Sequence, residues 1–402
     1  GITLNRNDDT EGNVIPFPES TPSEEIQENS SHRRKKSAKK NKNHGRTILF
    51  SVLAAIFILI VFGIFGDSGF KSTDAVNTEP ISVLSTANYS FADYKTGFVF
   101  AHDGKVSCYN TNLELQWETD GSKTAPTVKT NGKYALTYYI DDKVAILSDG
   151  SSNKKIKTDG KVISASLNDN GYSTIIVKED GFKNQVAVYD TDGNAVFKWH
   201  NSDRYIISSY LSNDNRMLVS GEVVMKDNRV TSNVLVIDTR KDLKINEISF
   251  DESAICDIHF VSKNRFIVVC DDKTACYNTK LSEKWLINYS KKNLYTYDIS
   301  DNDTLALVFG KDDSLLSSSD IEYYNTKGRK IGNFKSESRI DGIDMQGNYS
   351  LITYNRRLAV VNSKGKELST KELNYDIRKC IFMGNRRCAL VISGASASLV
   401  KP

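Results

Sequence analysis

Histidine residues are the first candidates for chemistry in this sequence, because imidazole is a common metal ligand and acts as an acid or base near neutral pH. The chain of 402 residues contains five of them. They are far apart, and none belongs to an HExxH motif or another metal-ligand spacing. His259 lies in the apolar segment AICDIHFV, which favours a hydrogen-bonded core histidine over a ligand. The sequence therefore predicts no metal site and no cofactor.

The six cysteines also lack a metal-binding or redox spacing, because the sequence contains no CxxC motif. Cys108 and Cys276 both precede the tripeptide YNT, and valine takes this position ahead of similar segments elsewhere, which indicates small core residues. Cys380 and Cys388 flank a turn at residues 384–385. A two-residue turn there pairs Cys380 with Ala389 and sends the two cysteines to opposite faces. We expect buried free thiols, and disulfides are the alternative.

Acidic side chains are plentiful, but none forms a recognisable catalytic or calcium-binding pattern. The segment DTDG at 190–193 lacks the remaining ligands of a calcium loop, so it predicts a turn. Asp251, Glu252 and Asp257 are expected on loops, where no acid and base pair is distinguishable. The sequence also contains no glycine-rich phosphate loop and no GxSxG motif. We predict that the protein is not an enzyme; the alternative is a hydrolase with a site assembled from distant segments of the fold.

The elements that position these residues repeat along the chain. VSCYNTNLELQWET at 106–119 returns as TACYNTKLSEKWLINY at 274–289. Related segments begin at Val144, Val186, Val234, Ile321 and Leu358. The spacing of about 37 to 48 residues is typical of four-stranded propeller blades. The interior strands are apolar at nearly every residue, as burial of both sheet faces requires. The sequence therefore predicts an all-β propeller over residues 80–402, with turns stabilised by the Asn or Asp that ends each motif.

The number of blades depends on the last repeat unit, which is incomplete. Seven motif strands are visible, and the runs at 375–382 and 387–394 begin an eighth unit that lacks its outermost strand. Residues 81–84 supply that strand if the two ends of the domain pair, so that no sheet edge stays exposed. We expect eight blades, and seven are the alternative.

The repeats resemble those of quinoprotein-type propellers, in particular the eight-bladed, non-catalytic BamB-like assembly lipoproteins. In that family a strand ending in Asn or Asp and Thr leads through a glycine turn to a tryptophan that docks between blades. Trp117, Trp199 and Trp285 stand in that place. The layout is also similar to uncharacterised membrane-anchored proteins of Gram-positive bacteria. The resemblance implies a fold and a structural role for the tryptophans, and it carries no activity.

The N-terminal part predicts a membrane anchor. Residues 47–66 are uncharged, and a helix of about 20 residues spans the roughly 30 Å of a bilayer core. A cleaved signal peptide is the alternative, but the preceding segment is long and no Ala-x-Ala site follows. Basic residues before the run mark the cytoplasmic side and contact anionic lipid. They are Arg33, Arg34, Lys35, Lys36, Lys39, Lys40, Lys42 and Arg46.

These patterns predict four regions and a topology. Residues 1–46 form a disordered cytoplasmic tail, 47–66 a transmembrane helix, 67–79 a linker and 80–402 an extracytoplasmic propeller. The formal net charge of the whole chain is only +3, which gives no reason to expect binding to nucleic acid.

Two lengthened hairpins are the candidate interaction elements. They lie at 217–236 and 308–324, at equivalent places of their repeat units, so both should emerge on one face of the ring. The candidate interaction residues are Gly221, Glu222, Lys226, Asp227, Asn228, Arg229, Lys311, Asp312 and Asp313. We expect a membrane-tethered scaffold that binds a protein partner at the cell surface. A sensor or a module that binds cell-wall glycan is the alternative.

Overall fold

The computed structural model describes residues 80–82, 88–241, 243–311, 318–384, 388–394 and 396–402. The predictions for residues 1–46, 47–66 and 67–79 therefore lie outside the described residues. The described part contains 32 strands and no helix. None of the residues that the structure describes forms a helix with the length and hydropathy of a membrane span. The predicted all-β class is confirmed.

The strands form eight antiparallel sheets of four strands each, numbered here as blades in chain order. After β1 (Ile81–Ser82), the strands of blades 1 and 2 are β2 (Tyr89–Tyr94), β3 (Gly97–His102), β4 (Lys105–Tyr109), β5 (Leu115–Asp120), β6 (Pro126–Thr130), β7 (Ala135–Tyr139), β8 (Val144–Ser148) and β9 (Asn153–Lys157). Those of blades 3 and 4 are β10 (Lys161–Leu167), β11 (Ser173–Lys178), β12 (Asn184–Tyr189), β13 (Ala195–Asn201), β14 (Tyr205–Leu211), β15 (Met217–Lys226), β16 (Arg229–Asp238) and β17 (Leu243–Asp251).

The second half of the ring continues the same order. Blades 5 and 6 contain β18 (Ile255–Ser262), β19 (Arg265–Cys270), β20 (Lys273–Asn278), β21 (Glu283–Asn288), β22 (Asn293–Ile299), β23 (Leu305–Lys311), β24 (Ser318–Tyr324) and β25 (Lys330–Ser336). Blades 7 and 8 contain β26 (Gly342–Gln346), β27 (Tyr349–Tyr354), β28 (Arg357–Asn362), β29 (Glu367–Glu372), β30 (Lys379–Met383), β31 (Cys388–Ser393) and β32 (Ser396–Val400).

The two ends of the domain close the ring. β1 pairs with β32, so that Ile81 lies opposite Ala397 and Ser82 lies opposite Ser396. Blade 8 therefore has the strand order β1, β32, β31, β30. This pairing confirms that the segment at residue 81 completes the last blade, and it establishes eight blades rather than seven. The edge of β32 is covered at Ser396 and Ala397 as a result.

Asparagine and aspartate side chains stabilise the turn between the third and fourth strands of most blades. In blade 1 the Asn110 Oδ1 accepts hydrogen bonds from the backbone N–H groups of Asn112 and Glu114, at 2.9 and 3.0 Å. The same two bonds recur at Asp190, Asn278, Asn325 and Asn362. The predicted turn chemistry is confirmed, and the segment at 190–193 is one of these turns.

The hydrophobic core lies between the blades. Leu136 of blade 2 and Ile175 of blade 3 belong to one buried cluster, and both side chains are fully buried. All six residues of β12 are buried. The middle strands of a blade pack against both neighbouring blades, which is why they are apolar at almost every position.

Hydrogen bonds also join neighbouring blades. The Ser90 Oγ accepts from the backbone N–H of Val128 at 3.0 Å, and the Ser232 Oγ accepts from that of Ile255 at 3.1 Å. Both bonds are buried and reach the first strand of the following blade. Because apolar packing alone allows sliding, these polar contacts fix where the first strands of blades 2 and 5 lie around the axis.

Candidate functional site

The hairpin of blade 4 extends beyond the rest of its sheet. β15 and β16 are ten residues long, and Asp227 and Asn228 form the turn between them with φ of 51° and 61°. Positive φ at both positions is the type I′ geometry that fits the strand twist. β14 pairs with β15 only as far as Val223, and β17 pairs with β16 only from Thr231. Residues 224–230 therefore form a two-stranded ribbon without neighbouring strands in the blade.

One side of this ribbon is apolar and open. Met225 is 63% exposed and lies opposite Val230. Because side chains alternate along a strand, Met225 and Val223 point to the same side as Val219, which is buried between blades 4 and 5. An apolar stripe thus runs from the core out to the tip of the ribbon.

Three exposed aromatic residues lie on the same face of the ring as the ribbon. Phe182 follows β11 and is 44% exposed. Tyr205 is the first residue of β14 and is 54% exposed, and Tyr295 lies near the start of β22 and is 44% exposed. Lys183 Nζ lies 4.9 Å from the ring centre of Tyr205, and the Arg339 guanidinium lies 4.4 Å from that of Tyr295. Aromatic and arginine side chains are enriched at protein interfaces. We call the set Phe182, Tyr205, Met225 and Tyr295 the hairpin face.

Two of the predicted interaction residues are buried at the base of the ribbon, which corrects their assignment to an interaction surface. Gly221 is buried, and Glu222 is 1% exposed. The Glu222 carboxylate accepts hydrogen bonds from Arg204 Nη1 at 3.1 Å and from Asn201. Burial raises the pKa of Glu222, and the bond from Arg204 opposes the shift. Gly221 and Glu222 therefore hold the ribbon from inside the sheet, because β15 is still flanked by β14 at this point.

The other predicted interaction residues lie at or near the tip of the ribbon or in the blade 6 hairpin. Asp227, Asn228 and Arg229 are exposed. Arg229 Nη1 lies 2.6 Å from the Glu252 carboxylate, and an ion pair this exposed contributes little stability. Lys226 ends β15 and Lys311 ends β23, whereas Asp312 and Asp313 lie outside the described residues. Sequence reasoning missed Phe182, Tyr205 and Tyr295, because the aromatic residues belong to separate repeats and share no motif.

A polar cavity of about 460 Å³ lies on the ring axis, lined by the first strands of blades 2 to 6. Asp257 lines it from β18 and therefore does not lie on a loop, which corrects the sequence interpretation. Its carboxylate accepts from Ser208 Oγ at 3.0 Å and from the Tyr297 hydroxyl at 2.9 Å. Both oxygens of this carboxylate thus accept hydrogen bonds from neighbouring blades.

Two further carboxylates near the axis serve as links between blades. Asp298 accepts the backbone N–H of Met345 at 2.6 Å, and Asp344 accepts that of Phe382 at 2.7 Å. Burial raises the pKa of Asp298 to about 6, against the effect of its backbone hydrogen bonds. Each carboxylate accepts a hydrogen bond from the next blade, as serine does elsewhere in the ring. A structural role in joining blades therefore accounts for both carboxylates.

His259 faces the axial cavity, which corrects its assignment to the core. Its ring lies edge-on to Tyr210 with the ring centres 5.2 Å apart. Burial lowers the pKa of His259, although the nearby Asp257 acts in the opposite direction. Among the described residues, no group of three or more His, Cys, Asp or Glu side chains could hold a metal ion.

Trp117 and Trp285 occupy the same place in their blades, but Trp199 does not. Trp117 and Trp285 each lie opposite the cysteine of the third strand. The equivalent position of blade 3, opposite Val188, is held by Phe197, and Trp199 lies opposite Val186. The grouping of Trp199 with the other two is therefore corrected. Phe197 and Trp199 are two residues apart in β13, so their side chains lie on the same side of the strand. Both pack in the cluster shared with blade 4.

Trp285 shows how this position contacts the next blade. Its Nε1 donates to the backbone carbonyl of Thr326 at 3.0 Å. Gly328 has a φ of +69°, and a Cβ there would lie 2.6 Å from the indole. A glycine in the turn of blade 6 thus lets the tryptophan of blade 5 lie flat against it.

The six cysteines are free, as expected, and five are buried. Cys256 is exposed and lines the axial cavity, which corrects the expectation of burial for that residue. Cys380 pairs with Val391 and Met383 pairs with Cys388. The predicted pairing of Cys380 with Ala389 is wrong, because the connection between β30 and β31 is longer than two residues.

Eight four-stranded blades around a polar axial cavity define this protein as an eight-bladed β-propeller. The chain belongs to the family of unknown function DUF5711, whose model matches residues 67–401. No curated protein matches the sequence.

Solved structures that are similar in fold include BamB and AztD. BamB from Moraxella catarrhalis is 13% identical with a TM-score of 0.51, and the match covers 81% of this chain and 96% of that one. Apo AztD from Citrobacter koseri is 14% identical with a TM-score of 0.50, covering 77% of this chain and 90% of that one. These similarities confirm the BamB-like propeller fold.

Proposed function

We propose that this protein is a membrane-tethered propeller that acts outside the cytoplasm as a non-catalytic scaffold for another protein. The observation that carries the proposal is the blade 4 ribbon, whose Met225 is 63% exposed. A two-stranded ribbon with an exposed apolar side chain gains stability when a partner covers it.

The chemistry of the hairpin face supports a protein as the occupant. Its two tyrosines are bordered by positive charge, with Lys183 beside Tyr205 and Arg339 beside Tyr295. Apolar anchors with a charged rim are typical of protein interfaces, where a few buried side chains supply most of the affinity. The partner then presents an apolar pocket for Met225.

Its place in the cell follows from the segments that precede the propeller. The uncharged run at 47–66 serves as the single span, and the basic residues from Arg33 to Arg46 hold the N-terminus in the cytoplasm. A tag at the C-terminus should be removed by protease added to intact cells, and a tag at the N-terminus should be protected. Protection of both tags would contradict this topology.

The scaffold role is tested by two matched substitutions. Met225→Glu places a charge at the ribbon tip, and Leu115→Glu does the same at a residue that is 53% exposed on the outer strand of blade 1. Complexes isolated from detergent-solubilised membranes should contain a protein that Met225→Glu removes and Leu115→Glu retains. Identical partners for the wild type and both variants would contradict docking on the hairpin face.

A further inference from the structure

The junction between blades 1 and 2 differs from the junction between blades 5 and 6, although a tryptophan occupies the same position in both. At the latter, Trp285 lies against Gly328 and its N–H is bonded to Thr326. At the former, a cavity of about 190 Å³ lies beside Trp117. Within the described ranges, the indole N–H of Trp117 has no hydrogen-bond partner.

The open space has a structural cause in a side chain from another turn. Lys95, at a φ of 55°, reaches the glycine of the blade 2 turn, and its Nζ donates to the backbone carbonyl of Asp149 at 3.3 Å. A Cβ at Gly150 would lie 2.0 Å from that Nζ. Lys95 thus takes the place against the turn that Trp285 takes at the other junction, and the space beside Trp117 stays empty.

The lining of this cavity combines aromatic and hydrogen-bonding groups. Trp117 supplies an aromatic ring, and Gln116 and Thr96 supply an exposed amide and hydroxyl. Tyr109 contributes its backbone, because its ring stacks on Phe98 in the cluster shared with blade 8, with ring centres 5.3 Å apart. The sole charged lining residue is Lys95, whose ammonium is already bonded to a carbonyl.

We infer that this cavity binds one sugar ring of an uncharged glycan. A pyranose presents C–H faces that stack on an indole and hydroxyl edges that accept from its N–H and bond to amide and hydroxyl groups. The volume is below the roughly 300 Å³ at which pockets for drug-sized ligands begin, so it suits a single ring. Because Thr96 and Gln116 are exposed, the adjoining sugars extend into solvent. This site lies on the side of the ring opposite the hairpin face, so it does not depend on the proposed scaffold function.

The three tryptophans provide a direct test. The full chain in detergent is labelled with 5-fluorotryptophan, and the fluorine signals are assigned with single Trp→Phe variants. Trimers of N-acetylglucosamine and of glucose are the probes. The Trp117 signal should shift saturably with one of them, and the Trp285 signal should not move.

The matched variants measure what the indole contributes. Trp117→Phe keeps a ring but removes the N–H, and it should weaken binding of the responding trimer about tenfold, the loss of one hydrogen bond. Trp285→Phe should leave the affinity unchanged. The inference is overturned if neither trimer shifts the Trp117 signal at saturating concentration, or if the Trp285 signal shifts equally. If Trp117→Phe does not fold, Gln116→Ala at the exposed rim replaces it. Unchanged affinity of the Gln116→Ala variant for the responding trimer would also overturn the inference.

Discussion

Gly328 offers a sharp test of how the blades fit together. It has a φ of +69°, and a Cβ at this position would lie 2.6 Å from the Trp285 indole. Gly181 in blade 3 has a comparable φ of +87°, but nothing lies within 4 Å of its Cβ position. Gly328→Ala therefore introduces backbone strain and a clash, and Gly181→Ala introduces the strain alone.

The difference between the two variants can be estimated. Left-handed backbone costs alanine about 1 to 2 kcal/mol, and reduced freedom of the unfolded chain offsets part of it, leaving about 1 kcal/mol for each variant. In Gly328→Ala the indole must also move. It then loses its bond to Thr326, worth about 1 kcal/mol, and packing worth about 1 kcal/mol more. The totals are about 3 kcal/mol for Gly328→Ala and about 1 kcal/mol for Gly181→Ala.

Thermal unfolding followed by far-ultraviolet circular dichroism separates these values. For a propeller of this length, 1 kcal/mol shifts the midpoint by about 1.5 °C, so the expected decreases are about 4 to 5 °C for Gly328→Ala and about 1 to 2 °C for Gly181→Ala. Equal decreases in the two variants would refute the contact between Trp285 and the turn of blade 6.

Three further results are expected. Burial alone would raise the pKa of Glu322, but hydrogen bonds from two lysines and Tyr324 lower it to about 2 from 4.5. A lowered pKa stabilises the fold above pH 4.5, so Glu322→Gln should lower the free energy of unfolding at pH 7 by at most about 3 kcal/mol. The difference in unfolding free energy from the wild type should disappear between about pH 4.5 and 2, and a difference that does not change with pH would contradict this. Ile81→Asp should destabilise ring closure by about 2 kcal/mol, because Ile81 packs in the core cluster of blades 8 and 1, whereas the exposed Ser82→Asp should have little effect on the midpoint; equal effects would argue against closure at β1. Titration of thiols in the unreduced protein should find six after unfolding, and Cys256 should react first in the folded protein; fewer than six would indicate a disulfide.

The fold was largely predictable from the sequence, because the repeat period and the turn residues are local signals. Each Asn or Asp that ends a third strand bonds its own turn, so the pattern survives where the rest of the repeat has changed. Closure of the ring was also predictable, since an incomplete last repeat unit requires a strand from the other end of the domain. The register around Cys380 was not, because Gly384 and Asn385 resemble a two-residue turn, whereas the connection between β30 and β31 comprises residues 384–387.

The candidate site was less predictable, since it depends on where neighbouring strands stop. The length of the blade 4 hairpin is visible in the sequence, but the exposure of Met225 and the burial of Glu222 follow from β14 ending its pairing at Val223. The sequence also does not show that Trp117 and Trp285 make different contacts with the next blade, because their motifs are alike. The difference arises from Lys95, which comes from another turn of blade 1.

The central claim is that a protein partner docks on the hairpin face. The most direct measurement places a photo-crosslinking residue at Asn228, in the tip of the ribbon, in intact cells. The matched control places it at Asn264, an exposed residue in the turn between β18 and β19 on the opposite face. A defined protein adduct from position 228, absent from position 264 and lost in Met225→Glu, is the predicted result. No adduct from position 228, or the same adducts from both positions, would contradict the account.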